Sequence, residues 1–212
     1  MTKLQVAIDL LTTEAALELA AKVAPYVDII ELGTPLIKAE GLSVVTAMKA
    51  AFPDKLVFAD MKTADTGALE AEMAFKAGAD LVTVMGAVDD ATIKGAVEAA
   101  KKYGRKVVVD TIGVKDRVQR AKEVTAFGVA FVELHAGLDE QALPGYSVQT
   151  LISEGREAKV PFSVAGGVNI DTIKDVVAAG ADVAVAGGAI YCAKDPAAAA
   201  KALKDAINSV TV

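Results

Sequence analysis

Short apolar runs recur along the chain, each followed by a longer stretch with apolar residues at helical spacing. The runs are Leu4–Ile8, Val27–Leu32, Leu56–Ala59, Leu81–Met85, Lys106–Val109, Ala130–Leu134, Phe162–Ala165 and Val183–Ala186. Apolar residues fill most positions of each run without strict alternation. That is the pattern of strands buried on both faces, as in a parallel sheet. The stretch Thr13–Val23 typifies the helical segments between them. Lys76-Ala77-Gly78-Ala79-Asp80 and Ala178-Ala179-Gly180-Ala181-Asp182 are near copies, and Ala126-Phe127-Gly128-Val129-Ala130 is a looser one. Each sets Gly just past a helix, where a left-handed residue is needed, and then launches a strand. Asp195 followed by Pro196 predicts the start of the last helix. Eight strand–helix units with no linker or composition break predict a single (β/α)8 TIM barrel domain over residues 1–212. An open doubly wound sheet is the competing architecture. Against it, Ile8-Asp9-Leu10-Leu11 stands where a Gly-x-Gly-x-x-Gly turn would follow the first strand.

Composition narrows the functional classes. Hydrophobic residues make up 53% of the chain and aromatics 5%, so Ala, Val, Ile and Leu build the core. The formal charge is -6 with no Lys/Arg runs, which argues against a nucleic-acid partner. The chain lacks an uncharged apolar stretch of about 18 residues, so no membrane span is expected. Met1–Val6 enters a strand pattern directly, which predicts no signal peptide, and Cys192 is the lone cysteine. Both suit a reducing cytoplasm.

Against this apolar background the charged residues are conspicuous. Asp60, Lys62 and Asp65 follow the third run in Phe58-Ala59-Asp60-Met61-Lys62-Thr63-Ala64-Asp65. In a strand, Asp60 and Lys62 would share one face. Charges facing a core must be paired or bound, so the array is either a structural ion pair or a catalytic site. The active site of such a barrel lies at the C-terminal strand ends. Asp9, Glu31, Asp60, Lys62, Asp110 and His135 all fall there. One acid at a strand end is ordinarily a helix cap or a solvated group, but all of them together point to catalysis. His135 is the lone histidine, and imidazole suits proton transfer at neutral pH. Glu133 lies two residues earlier, either orienting the ring or filling a core layer.

Gly166-Gly167 closes the seventh run and Gly187-Gly188 the eighth. Paired glycines let backbone N–H groups approach an anion closely, and a helix start behind each would add positive dipole. Loops after strands 7 and 8 are the common phosphate site of these barrels, so a phosphorylated ligand is expected. One such pair could be no more than a tight turn. Carboxylates converging from separate strands suit a hard cation, Mg²⁺ or else Mn²⁺, with Glu31 and Asp60 as ligands.

Together these residues resemble the orotidine monophosphate decarboxylase suprafamily, with its Asp-x-Lys-x-x-Asp signature in a phosphate-binding barrel. Within it the chain is similar to the 3-hexulose-6-phosphate synthase family. The matching stretches include Leu4–Leu10, Ile30–Ile37, Ala59–Lys62, His135–Gln141, Val164–Gly167 and Ala186–Ile190. The sister family, 3-keto-L-gulonate-6-phosphate decarboxylase, typically carries an arginine at two places held here by Leu138 and Gly188. The resemblance implies Mg²⁺-dependent addition of formaldehyde to D-ribulose 5-phosphate through an enediolate, with the decarboxylase as the alternative. It implies a catalytic set of Asp9, Asp60, Lys62, Asp65 and His135. Substrate contacts would come from Asp9, Asp110 and the four glycines. It also implies a homodimer in which Asp65 reaches the partner's site.

Overall fold

Strands apolar on both faces need cover on both sides, and this chain supplies it by closing the sheet on itself inside a ring of helices. The computed structural model describes residues 1–210. The strands are β1 (Lys3–Ile8), β2 (Ile29–Leu32), β3 (Leu56–Thr63), β4 (Leu81–Met85), β5 (Lys106–Asp110), β6 (Phe131–His135), β7 (Phe162–Ala165) and β8 (Val183–Ala186). All pair in parallel with their sequence neighbours, and β1 closes on β8 with Lys3 opposite Val183. The helices are α1 (Thr13–Val23), α2 (Thr34–Glu40), α3 (Ser43–Ala51), α4 (Gly67–Ala77), α5 (Asp90–Tyr103) and α6 (Arg117–Thr125). They continue with α7 (Leu138–Gln141), α8 (Val148–Ala158), α9 (Ile173–Ala178), α10 (Gly188–Tyr191) and α11 (Pro196–Asn208). Among the described residues no helix is long and apolar enough to cross a membrane.

Alternate strand residues divide between two cores. Leu4, Val6, Ile30, Leu32, Val57, Val82, Val107, Val109, Val132 and Leu134 pack outward against the helices. Ile29, Phe58, Leu81, Val108, Phe131 and Val183 form a separate apolar floor within the barrel. Two residues further along five of these strands the inward positions become polar, at Glu31, Asp60, Thr83, Asp110 and Glu133, and these are buried together with Gln5 of β1 and Ser163 of β7. The barrel is thus sealed at its N-terminal end and polar towards its C-terminal mouth.

Local signals behave as the sequence predicts. Gly78, Gly128 and Gly180 take φ of 110°, 96° and 86°, as a left-handed helix end requires. Asp195 caps α11 by accepting from the Ala198 N–H at 3.1 Å, with Pro196 at the first helical position. One strand departs from expectation. β3 runs on to Thr63, carrying Asp60 and Lys62 within it and not after it. Its register with β4 breaks there: Ala59 pairs with Val82 and Thr63 with Val84, so Asp60, Met61 and Lys62 together face Thr83. This is a bulge, and Lys62 sits in it at φ 44°.

Candidate active site

The bulge of β3 turns the Lys62 side chain towards the mouth. Its Nζ lies 2.8 Å from Asp60 Oδ2, 3.1 Å from Asp60 Oδ1 and 2.7 Å from Asp110 Oδ2. Asp110 ends β5 and is fully buried. Its Oδ2 also lies 2.8 Å from His135 Nδ1, and its Oδ1 accepts from the Ile112 N–H at 2.8 Å. An unbroken chain therefore runs from Asp60 through Lys62 and Asp110 to His135. With Nδ1 donating to Asp110, the lone pair of the neutral ring lies on Nε2. The His135 backbone is fixed by its N–H donating to Thr111 Oγ1 at 3.1 Å.

Hydroxyls complete the shell of Asp60. Thr34 donates to Oδ2 and Thr83 donates to Oδ1, both at 2.8 Å. Glu31 Oε2 accepts from Gln5 Nε2 at 2.8 Å. Asp9 lies so close to Gly33 that a Cβ there would sit 2.0 Å from Asp9 Oδ1, so only glycine fits beneath that carboxylate.

The acids outnumber the cations, and their titration reflects it. Burial, with the charge of Asp60 next, pushes the Glu31 carboxyl well above the usual range. Burial followed by Glu31 and Asp110 does the same to Glu133. Asp9 is raised by burial and then by Asp60. Burial also opposes ionisation of Asp110, but the His135 hydrogen bond and charge and the Lys62 ammonium outweigh it and hold that carboxyl below the usual range. Burial likewise disfavours the Lys62 charge, yet Asp60, Asp110 and Glu133 hold it above an ordinary lysine.

This donor set fits a hard divalent cation. The charge of Asp60 raises the cost of charging Glu31, which a shared cation would relieve, and every donor is a carboxylate oxygen. In the arrangement seen, Lys62, Thr34 and Thr83 occupy both oxygens of Asp60. A cation held by Glu31 and Asp60 would share that carboxylate with the ammonium. Asp110, Glu133 and His135 also offer ligand atoms within 4.8 Å of one another.

The four glycines lie where the sequence places them. Gly166 and Gly167 have φ of 119° and 77°, closed to other residues without strain. Among the described residues no hydrogen bond takes up the amides of Gly166, Gly167, Gly187 or Gly188. The Tyr146 hydroxyl donates to the Gly166 carbonyl at 2.7 Å, which fixes that loop from the side. The expected dipoles are unequal. α10 begins directly at Gly188, whereas α9 begins at Ile173, after the turn Val168–Thr172. The β7 loop therefore offers amides without a helix immediately behind them.

Asp65 stands apart from this cluster. It is exposed between β3 and α4, and its Oδ1 accepts from the Thr66 N–H at 2.7 Å. Sequence reasoning missed Gln5, Thr34, Thr83, Thr111 and Tyr146. For Gln5 and Thr83 a signal existed, since each is a polar residue within an otherwise apolar strand and must find a partner there.

A closed parallel barrel with open amides after β7 and β8 and an acid–lysine–histidine chain across its mouth is a (β/α)8 barrel with its charged side chains gathered at one end. The sequence model of the orotidine 5'-phosphate decarboxylase / HUMPS family matches residues 2–203, and the chain belongs to that family. It is 69% identical to the 3-hexulose-6-phosphate synthase of Mycobacterium gastri over 97% of this chain and 99% of that one. A crystal structure of a 3-hexulose-6-phosphate synthase superposes with a TM-score of 0.96, at 69% identity over 97% of this chain and 99% of that one. A 3-keto-L-gulonate-6-phosphate decarboxylase of Vibrio cholerae superposes with a TM-score of 0.84, at 29% identity over 98% and 97% of the two chains.

Proposed function

We propose that this chain is a cytoplasmic 3-hexulose-6-phosphate synthase, joining formaldehyde to D-ribulose 5-phosphate to give D-arabino-hex-3-ulose 6-phosphate. The observation that carries the reading is the continuous contact from Asp60 through Lys62 and Asp110 to His135. Making an enediolate requires a base at C1 and positive charge beside the enediolate oxygens, and this chain holds both within one mouth. His135, oriented by Asp110, takes the C1 proton on Nε2. The Lys62 ammonium donates to the oxygen that gains charge. C1 then attacks the formaldehyde carbon, and the proton held by His135 goes to the new hydroxymethyl oxygen. The amides of Gly166, Gly167, Gly187 and Gly188 hold the 5-phosphate away from the reacting end. Asp9, beside Gly33, is placed for a sugar hydroxyl. Glu31 and Asp60 would hold Mg²⁺, or Mn²⁺ in its stead, which supplies further positive charge for the enediolate oxygens.

Leu138 and Gly188 favour the synthase over the decarboxylase, since neither supplies a cation for a departing carboxylate. Asp65, outside its own mouth, is free to serve a second copy in a homodimer. The test is an assay with D-ribulose 5-phosphate and Mg²⁺, with and without formaldehyde, and a parallel assay with 3-keto-L-gulonate 6-phosphate. Equimolar loss of formaldehyde and pentulose phosphate, abolished by EDTA and restored by Mg²⁺, is expected. Decarboxylation without formaldehyde uptake would overturn the reading, and full activity in excess EDTA would overturn the metal assignment.

A further inference from the structure

We propose that Thr83 is a positioning residue, whose hydroxyl locks the β3 bulge and so sets Lys62 between Asp60 and Asp110. In a regular parallel ladder one residue of β3 would face one of β4. Here Asp60, Met61 and Lys62 face Thr83, so the ladder cannot supply all of their bonds. The Thr83 side chain takes over. A hydroxyl has one proton and two lone pairs. The proton goes to Asp60 Oδ1 at 2.8 Å, and a lone pair accepts the Lys62 backbone N–H at 2.8 Å. One fully buried atom thus grips the side chain of the first residue of the array and the main chain of the second. Lys62 needs such a grip, because φ 44° is a conformation that a lysine rarely adopts. Released from it, Lys62 returns to an extended conformation and its side chain leaves the mouth. Among the described residues no other hydroxyl reaches the Lys62 amide: Thr34 binds Asp60 from the β2 side, at Oδ2 and at the main-chain carbonyl.

The catalytic part of this inference rests on the synthase reading, whereas the grip itself does not. The test compares Thr83→Val, which keeps the shape and removes the hydroxyl, with Thr83→Ser, which keeps the hydroxyl. Hydrogen–deuterium exchange of the Lys62 amide is followed alongside steady-state kinetics with D-ribulose 5-phosphate and formaldehyde. In Thr83→Val the Lys62 amide should exchange at least about tenfold faster than in wild type, because it has lost its acceptor. Its kcat should fall about 30-fold or more, with KM for the pentulose phosphate within about threefold, since the phosphate is held elsewhere. Thr83→Ser should stay within about threefold of wild type in both measurements. If Thr83→Val does not fold, Thr83→Ala takes its place in the same comparison. Unchanged exchange at Lys62 would overturn the grip, and faster exchange with unchanged kcat would overturn its catalytic consequence. A wild-type protein inert towards the two substrates would instead sink the synthase reading, leaving the exchange result to decide on Thr83.

Discussion

Lys62 meets two carboxylates with one ammonium, and both Asp60 and Asp110 depend on it for charge balance. Lys62→Ala should therefore leave the barrel folded while lowering kcat at least a hundredfold, equivalent to about 2.7 kcal/mol or more of transition-state stabilisation. A circular dichroism spectrum like wild type with more than about a tenth of its kcat would remove the lysine from the chemistry. Glu133 allows a pH test. Burial raises its carboxyl, so the folded state binds that proton more readily than the unfolded chain. The stability this adds is complete below the ordinary glutamate value and is lost as pH rises through the folded value. Glu133→Gln has no such loss, so its melting temperature should gain on wild type between pH 5 and pH 8. A constant difference across that range would show that Glu133 does not titrate as its burial demands. At this scale Asp60, Lys62, Asp110 and His135 were legible in the sequence, because charge at the end of an apolar run demands a partner. Thr34 and Tyr146 were not, because a hydroxyl in a loop or helix start is common and only the fold reveals what it touches.

The strand–helix unit carries a device of its own. In each of three units an aspartate beside a strand start accepts an N–H from the first or second residue of the preceding strand: Asp28 from Leu4 at 2.8 Å, Asp80 from Val57 at 2.8 Å, and Asp182 from Phe162 at 3.1 Å. The same residues donate their own N–H to the carbonyl of that strand residue, closing a two-bond ring. The Gly-Ala-Asp repeats in the sequence end on two of these aspartates, and the looser repeat has Ala130 where no such ring can form. Asp80 also binds Lys49 at 2.9 Å and pairs with Arg105, tying α3 and the turn between α5 and β5 to the start of β4. Asp80→Ala should cost about 2–3 kcal/mol in urea unfolding, through a lower midpoint at constant slope. Asp182→Ala, which loses one longer bond to an N–H, should cost about 1 kcal/mol. The reverse order would contradict this account of the ring. The strand runs and glycine helix ends were readable because their periodicity is local. The extension of β3 was not, because it depends on Thr83 from the next strand.

The whole barrel keeps its apolar floor at one end and its charge at the other, so the chemistry has one exit. Asp65 is exposed near α4, whose Leu69 and Met73 are exposed as well. If Asp65 serves the partner's mouth, Lys62→Ala and Asp65→Ala proteins should each be inactive, and mixing them after unfolding and refolding should restore about a quarter of wild-type activity. A mixture no more active than its parts would place each site within one chain. The barrel was predictable from the count of strand–helix units, whereas subunit assembly leaves little trace in one chain's pattern.

In the proposed reaction the mouth removes the C1 proton of a pentulose phosphate with His135. Proton magnetic resonance of D-ribulose 5-phosphate in deuterated water with the Mg²⁺-supplied enzyme, without formaldehyde, measures this directly. Wild type should wash out the C1 proton, and His135→Gln should do so at least about a hundredfold more slowly. A wild type that consumes formaldehyde without exchanging C1, or a His135→Gln protein that exchanges at the wild-type rate, would contradict it.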